Sequence, residues 1–239
     1  MIYNISLTTP NNLTISMKPL KRILNFLTPD VCVTCGTEGS SICSDCSGVL
    51  QFPDQCYMCK KPSQAGITCE KCSRSTALRA LWVVSGYSGS AKELVTYMKY
   101  HPSASSASEM GELMAKRLPF LERSKTVIVP VPTTASRRRE RGFDQAAVMA
   151  KGISKITGCR SATVLRRITN SHQVGSGRKA RLEHMKDGFR IRNPHLLQDK
   201  TVVLVDDVLT TGATLESAAQ TVLQAGAKKV VAVVFARAE

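Results

Sequence analysis

The sequence predicts an α/β protein, a doubly wound parallel sheet set behind a small cysteine-rich module. Three observations predict it. Eight of the nine cysteines form four Cys-x-x-Cys pairs, strands alternate with helices from Leu81 onward, and a buried-strand pattern runs into two acids and a threonine-rich turn at residues 202–214. A chain of 239 residues accommodates one α/β domain and an appendage, but not three independent cores.

The cysteine pairs are Cys32/Cys35, Cys43/Cys46, Cys56/Cys59 and Cys69/Cys72. Two residues between thiolates make a tight turn that aims both sulfurs at one point, and two such knuckles give the tetrahedral set that Zn²⁺ prefers. Eight ligands imply two zinc ions. Sequential pairing, 32 to 46 on one ion and 56 to 72 on the other, is favoured over a cross-braced one. The intervals between pairs are too short for much apolar core, so the metal is expected to hold the segment. Four thiolates leave no open coordination position, which makes the role structural. A disulfide framework is the alternative, but residues 1–29 lack the long apolar stretch and small-residue cleavage site of an export signal. A reducing, cytoplasmic setting is therefore expected. Cys159 stands alone after Gly158 and reads as a small buried apolar residue. No apolar run reaches the ~20 residues of a membrane span.

In the α/β part, residues 81–84 read as a strand, and Ser90 with Glu93 as a capping box for the next helix. Ala91, Leu94, Val95 and Met98 give that helix one apolar face. Residues 127–131 form a short strand, Ala146, Met149, Ala150 and Ile153 a second helical face, and Gly158 its end. Residues 202–205 read as a strand buried on both faces, Leu215, Ala218, Ala219 and Val222 as a helix closed by Gly226, and residues 230–235 as the last strand. Parallel sheets of this kind bind ligands at the carboxyl ends of their strands.

There the chain reads Val-Val-Leu-Val-Asp-Asp-Val-Leu-Thr-Thr-Gly-Ala-Thr over residues 202–214. The strand delivers Asp206 and Asp207, whose carboxylates can accept hydrogen bonds from the vicinal hydroxyls of a ribose. The turn follows with Thr210, Thr211, Gly212, Ala213 and Thr214, whose hydroxyls and backbone N–H groups at a helix start suit a phosphate dianion.

This run resembles the phosphoribosyl pyrophosphate motif of type I phosphoribosyltransferases. From Cys32 to Phe235 the chain resembles the ComF family, associated with competence and DNA uptake. Besides the cysteines, the resemblance rests on Tyr87 and Lys99, Pro130 and Pro132, and Arg-Glu-Arg-Gly-Phe-Asp-Gln over residues 139–145. Arg166, Arg167, Gln173, Arg181 and Phe189 complete it. Asp144 and His184 stand where the family usually has Asn. The expected architecture is a tail over 1–28, a double zinc ribbon over 29–76 and a type I phosphoribosyltransferase-like domain over 77–239.

The resemblance implies phosphoribosyl pyrophosphate bound with Mg²⁺. Asp206 and Asp207 would hold the ribose, while Arg139, Arg141 and Gly142 would serve the pyrophosphate, with Lys99 nearby. Asp206, Asp207 and Arg141 are the candidate catalytic residues if the fold is catalytic, with no acceptor specified. Residues 166–188 resemble the loop that closes over substrate in this fold. Arg137 and Arg138 are either solvated or nucleic-acid facing, and His172 and His184 are either acid/base groups or exposed loop residues.

Net charge is +15, and residues 137–192 carry fifteen Lys and Arg against four acids. So localised a field attracts a polyanion, a pyrophosphate or a nucleic-acid backbone. The competing function is therefore a non-catalytic single-stranded DNA-binding competence factor that keeps the pocket as an effector site. Competence helicase or uptake proteins are the implied protein partners.

Overall fold

The computed structural model describes residues 30–101, 103–168 and 188–238. The central sheet has five strands: β1 Leu81–Gly86, β2 Thr126–Pro130, β3 Arg160–Ser161, β6 Thr201–Leu209 and β7 Lys229–Arg237. It is wholly parallel, in the order β1-β7-β6-β2-β3. A separate antiparallel pair joins β4 Leu165–Arg167 to β5 Phe189–Ile191.

Alternation along the strands sends side chains to two cores. Val203 and Val205 of β6 join Ile128, Val231, Val233 and Phe235 beneath three helices: α1 Gly89–Tyr100, α2 Ala104–Arg117 and α4 Gln145–Thr157. Val202 and Leu204 join Val129, Val230 and Val234 beneath α5 Ala213–Gln224. Helices α2 and α4 cross at Gly111 and Gly152, where backbones almost touch. A Cβ on Gly111 would stand 2.3 Å from the Met149 carbonyl oxygen, and one on Gly152 would stand 2.6 Å from that of Ser108.

Several boundaries differ from the sequence reading. The Ser90/Glu93 capping box does not form, because the helix begins at Gly89 and the cap is Ser88, whose side chain makes no capping bond. Glu93 instead accepts a hydrogen bond from Thr34 of the cysteine module at 3.0 Å. Helix α2 and the short helix α3, Ala135–Arg141, have no counterpart in that reading. Strand β6 runs four residues past Val205, so the paired acids lie within it. Cys159 is buried, 1% exposed.

The cysteine module packs on the sheet at both faces. Cys32 and Ile42 belong to the core under α1 and α2, Tyr57 to the core under α5. Buried polar ties reinforce this: Ser41 meets the Ser106 hydroxyl at 2.6 Å, and the Ser41 N–H donates to Glu109 at 2.9 Å. The module also covers the start of edge strand β1 through a bridge between Ile67 and Ala80, while Arg117 donates to the Val83 carbonyl at 3.1 Å and to that of Phe52 at 3.1 Å. No helix among the described residues is long and apolar enough to cross a membrane.

Candidate functional site

Strand β2 leads through α4 to β3 on one side, while β6 leads through α5 to β7 on the other. The sheet therefore reverses its winding between β2 and β6, where ligands of doubly wound sheets bind. The β2–β6 ladder ends at Pro130 and Val205, with one further bond from the Val131 N–H to the Val205 carbonyl at 2.9 Å. The β6–β7 ladder continues to Leu209 and Arg237. Asp206 and Asp207 thus stand where one neighbour has peeled away and the other still braces the strand.

A cavity of about 440 Å³ opens at that gap, a size ordinary for small-molecule sites. Asp206, Asp207, Thr210 and Thr214 line it from the β6–α5 side, Val131, Pro132 and Thr133 from the end of β2, and Arg137, Arg141 and Gln145 from α3 and α4. Lys99 of α1, Tyr87 and Arg167 close the rim. Four cations thus surround two acids, a balance suited to a polyanion that also carries hydroxyls.

Adjacent positions on an extended strand alternate in direction. Asp207 looks toward α1, its Oδ2 being 4.0 Å from Lys99 Nζ. The charge of Arg167 acts on Asp206, and Asp206 Oδ1 accepts the Asp207 N–H at 2.9 Å. Asp207 Oδ1 accepts the Val208 N–H at 2.7 Å. One oxygen of each carboxylate is therefore engaged by backbone. Burial first, then the charge of Asp207, raises the Asp206 carboxyl well above its ordinary value.

The turn after β6 places Gly212 at φ +79°, in the left-handed region, as the residue capping α5. That conformation favours glycine and starts α5 beside the cavity, which Thr210 and Thr214 line. The basic arm is organised by a cap as well, with Thr134 starting α3 by accepting the Arg137 N–H at 3.3 Å. Arg137 and Arg141, four apart, share one face and reach the cavity; Arg139, two residues from each, falls on the other flank and does not line it. Gly142 also lies off the lining and ends α3 at φ +76°. Arg137, placed by the sequence reading among solvated or nucleic-acid-facing residues, stands in the cavity wall. Arg141 donates to Gln145, which donates to the Met98 carbonyl at 3.1 Å, so α3, α4 and α1 are linked beneath the rim. Asp144 is the cap of α4, accepting the Ala147 N–H at 3.3 Å, a role open equally to the Asn usual there. Gln173, Arg181, His172 and His184 lie outside the described residues, as does most of the expected closing loop.

The eight paired cysteines gather into two sets, Cys32, Cys35, Cys43, Cys46 and Cys56, Cys59, Cys69, Cys72, each with all sulfurs within 4.8 Å of one another. The sequential pairing is the one formed. Cys35 and Cys43 sulfurs are 3.6 Å apart, and those of Cys59 and Cys69 are 3.7 Å apart. A tetrahedron with zinc–sulfur bonds of about 2.3 Å has an edge of about 3.8 Å, so both sets fit that ion. Burial pushes the Cys32 and Cys56 thiols up, but backbone N–H groups of neighbouring residues outweigh it and bring each down to about 6. Cys46 is driven the other way, chiefly by Cys35 and Cys43. Thiolates crowded together need a cation, and each cluster can hold a zinc ion.

Residues 100–239 match the family described as phosphoribosyl transferase domain, more than half of the chain. The chain belongs to that family. Its relatives include the DNA utilization protein YhgH of Salmonella typhi, 29% identical over 199 residues, which are 79% of this chain and 87% of that one. The competence protein ComFC of Bacillus subtilis is 27% identical over 218 residues, 86% of this chain and 83% of that one. Among solved structures, the glutamine phosphoribosylpyrophosphate amidotransferase of B. subtilis is 18% identical, with a TM-score of 0.40 over 56% of this chain and 26% of that one. The named relatives and the two four-cysteine clusters bear out the ComF resemblance drawn from the motifs.

Proposed function

We propose that the cavity binds phosphoribosyl pyrophosphate with Mg²⁺ and that the protein acts in the cytoplasm on incoming DNA, its ribbons holding two structural zinc ions. The observation that carries the first part is the convergence of Asp206, Asp207, Thr210, Thr214 and four cations on one cavity at the reversal of the sheet. Thr210, Thr214 and the first N–H groups of α5 hold the 5′-phosphate. The carboxylate oxygens of Asp206 and Asp207 that the backbone does not engage accept hydrogen bonds from the ribose hydroxyls, and hard carboxylate oxygens also suit Mg²⁺. Bound there, Mg²⁺ supplies charge neutralisation to the diphosphate. Arg137, Arg141 and Lys99 stabilise negative charge as it builds on the diphosphate oxygens.

Titration calorimetry with phosphoribosyl pyrophosphate and Mg²⁺, followed by a pyrophosphate-release assay over nucleobases and DNA, tests the reading. Binding with release identifies a transferase, and binding without release identifies an effector site. Absence of binding overturns the assignment.

The DNA-handling part rests on the relatives' names, on the net charge and on a second surface. At the opposite, amino ends of the strands a broad depression is lined by Arg79, Lys125, Lys200, Lys228 and Lys229 against Glu122 and Asp199, with Phe120, 95% exposed, also in its lining. A free aromatic face beside lysines suits single-stranded nucleic acid, in which bases stack and phosphates pair with cations. Phe120→Ala is expected to weaken single-stranded DNA binding by about 1–3 kcal/mol, measured by fluorescence anisotropy, with affinity falling steeply as salt rises. A flat salt response or an unaffected variant rejects this surface.

A further inference from the structure

We infer that the second cysteine cluster shapes the turn after β6, with Tyr57 and Glu216 as positioning residues for the phosphate cradle. This rests on the reading of that turn as the 5′-phosphate site. Glu216 lies in the first turn of α5, where a carboxylate would ordinarily face the helix N-terminus and solvent. Here both of its oxygens are taken up by the cysteine module and the residue that follows it. Oε1 accepts the Ala77 N–H at 2.8 Å, and Oε2 accepts the Thr76 hydroxyl at 2.6 Å and the Tyr57 hydroxyl at 3.1 Å. Tyr57 sits between the ligands Cys56 and Cys59 and is 7% exposed. Its ring edge lies 3.8 Å from the point a Cβ on Gly212 would occupy. Its carbonyl accepts Arg237 Nη2 at 3.1 Å, and Arg237, buried, pairs in the ladder with Leu209.

The knuckle at Cys56 and Cys59 therefore touches the turn at three places: behind it at Leu209 through Arg237, at its middle on Gly212, and beyond it at Glu216. A phosphate cradle made of N–H groups works only if the backbone is held to a fraction of an ångström. The direction of Tyr57 is set by two flanking cysteines that share one metal site, in a segment with little apolar core of its own. The first cluster reaches elsewhere, to Glu93, Ser106 and Glu109 on α1 and α2. The two clusters thus differ in task, and the first is an internal control for the second.

The test measures amide hydrogen exchange of residues 210–215 in the full-length, zinc-loaded protein without ligand, then the affinity for phosphoribosyl pyrophosphate with Mg²⁺. Glu216→Ala is expected to speed exchange in that turn about tenfold while β2 and β7 keep wild-type rates, and to weaken binding about tenfold. Glu216→Gln, whose amide can accept from Ala77 and donate to the Thr76 hydroxyl, is expected to restore both. Cys59→Ser and Cys35→Ser each leave one zinc per chain, and only Cys59→Ser should loosen the turn. If Glu216→Ala does not fold, Tyr57→Phe, which removes a single hydroxyl, should speed exchange about two- to threefold. Wild-type exchange in these variants, or equal loosening by Cys35→Ser and Cys59→Ser, overturns the inference. A wild-type protein that fails to bind the ligand removes the reading of the cavity instead, and the exchange data still decide the role of the knuckle.

Discussion

Replacing Asp206 by Asn should move binding and stability in opposite directions. The Asn Oδ1 can keep the hydrogen bond from the Asp207 N–H, now 2.9 Å, so the strand end is preserved. What changes is the other atom: an anionic acceptor facing the cavity becomes an N–H₂ donor. A charge-assisted hydrogen bond contributes about 1.5–3 kcal/mol, so the dissociation constant for phosphoribosyl pyrophosphate should rise roughly 10- to 100-fold. Stability responds to the raised pKa. The folded state keeps the Asp206 proton across the interval from the ordinary 3.8 up to the raised value, so stability falls as pH climbs through that interval and stays lowered above it. The Asn variant escapes this penalty. Its melting temperature should exceed that of the wild type at pH 8, and the advantage should fade as pH is lowered to about 4. Calorimetry and scanning fluorimetry at the two pH values measure both effects. Unchanged affinity, or a variant less stable at pH 8, would refute the reasoning that this carboxylate is held in a costly state for the sake of a ligand.

Three further outcomes are expected. Gly111→Ala forces α2 and α4 apart by about 1 Å, at a packing cost of about 1–3 kcal/mol that exceeds the roughly 1 kcal/mol Ala contributes as a helix former; urea denaturation should show a net loss. Burial raises the Asp144 carboxyl, against opposing bonds from nearby N–H groups and the charge of Arg138. By the same linkage, Asp144→Asn should keep the cap and be more stable than the wild type at pH 8 but not at pH 4, as read by urea midpoints. The sequence alone suggests that chelation unfolds the ribbons ahead of the α/β domain. With Ile42 and Tyr57 embedded in the two cores, a single melting step displaced to lower temperature is expected, and a two-step circular-dichroism melt would count against that coupling.

The strands were legible because a parallel sheet buried on both faces leaves continuous apolar runs, as at residues 202–205. The metal clusters were legible because ligand spacing is itself local geometry. Contacts made across the fold left no such mark. Glu93 looks like half of a capping box, yet its partner is Thr34, 59 residues away. Arg139 and Arg137 are equivalent as letters, and only the helical phase of α3 separates the one on the cavity from the one off it. Helix α2 leaves little mark in the sequence because its apolar face is built of Ser106, Ala107, Met110, Gly111 and Met114, small and mixed residues that suit a close crossing and blur the usual periodicity. Glu216 and Tyr57 carried no local sign at all. Spacing around the cysteines accounts for metal, and nothing in it says which way the intervening tyrosine faces.

The cover over β1 has a consequence for the fate of the chain when metal is scarce. An outer strand with unpaired amides is a template for other chains, and proteins commonly blunt such edges. Here the blunting is divided between a segment beside the second cluster, bridged at Ile67 and Ala80, and the Arg117 guanidinium seated on Val83. Without a metal in the second cluster, the first guard is held less firmly than the second. Zinc starvation should therefore show itself as clumping of the protein at temperatures where the metal-loaded chain stays folded, seeded along one margin of the sheet.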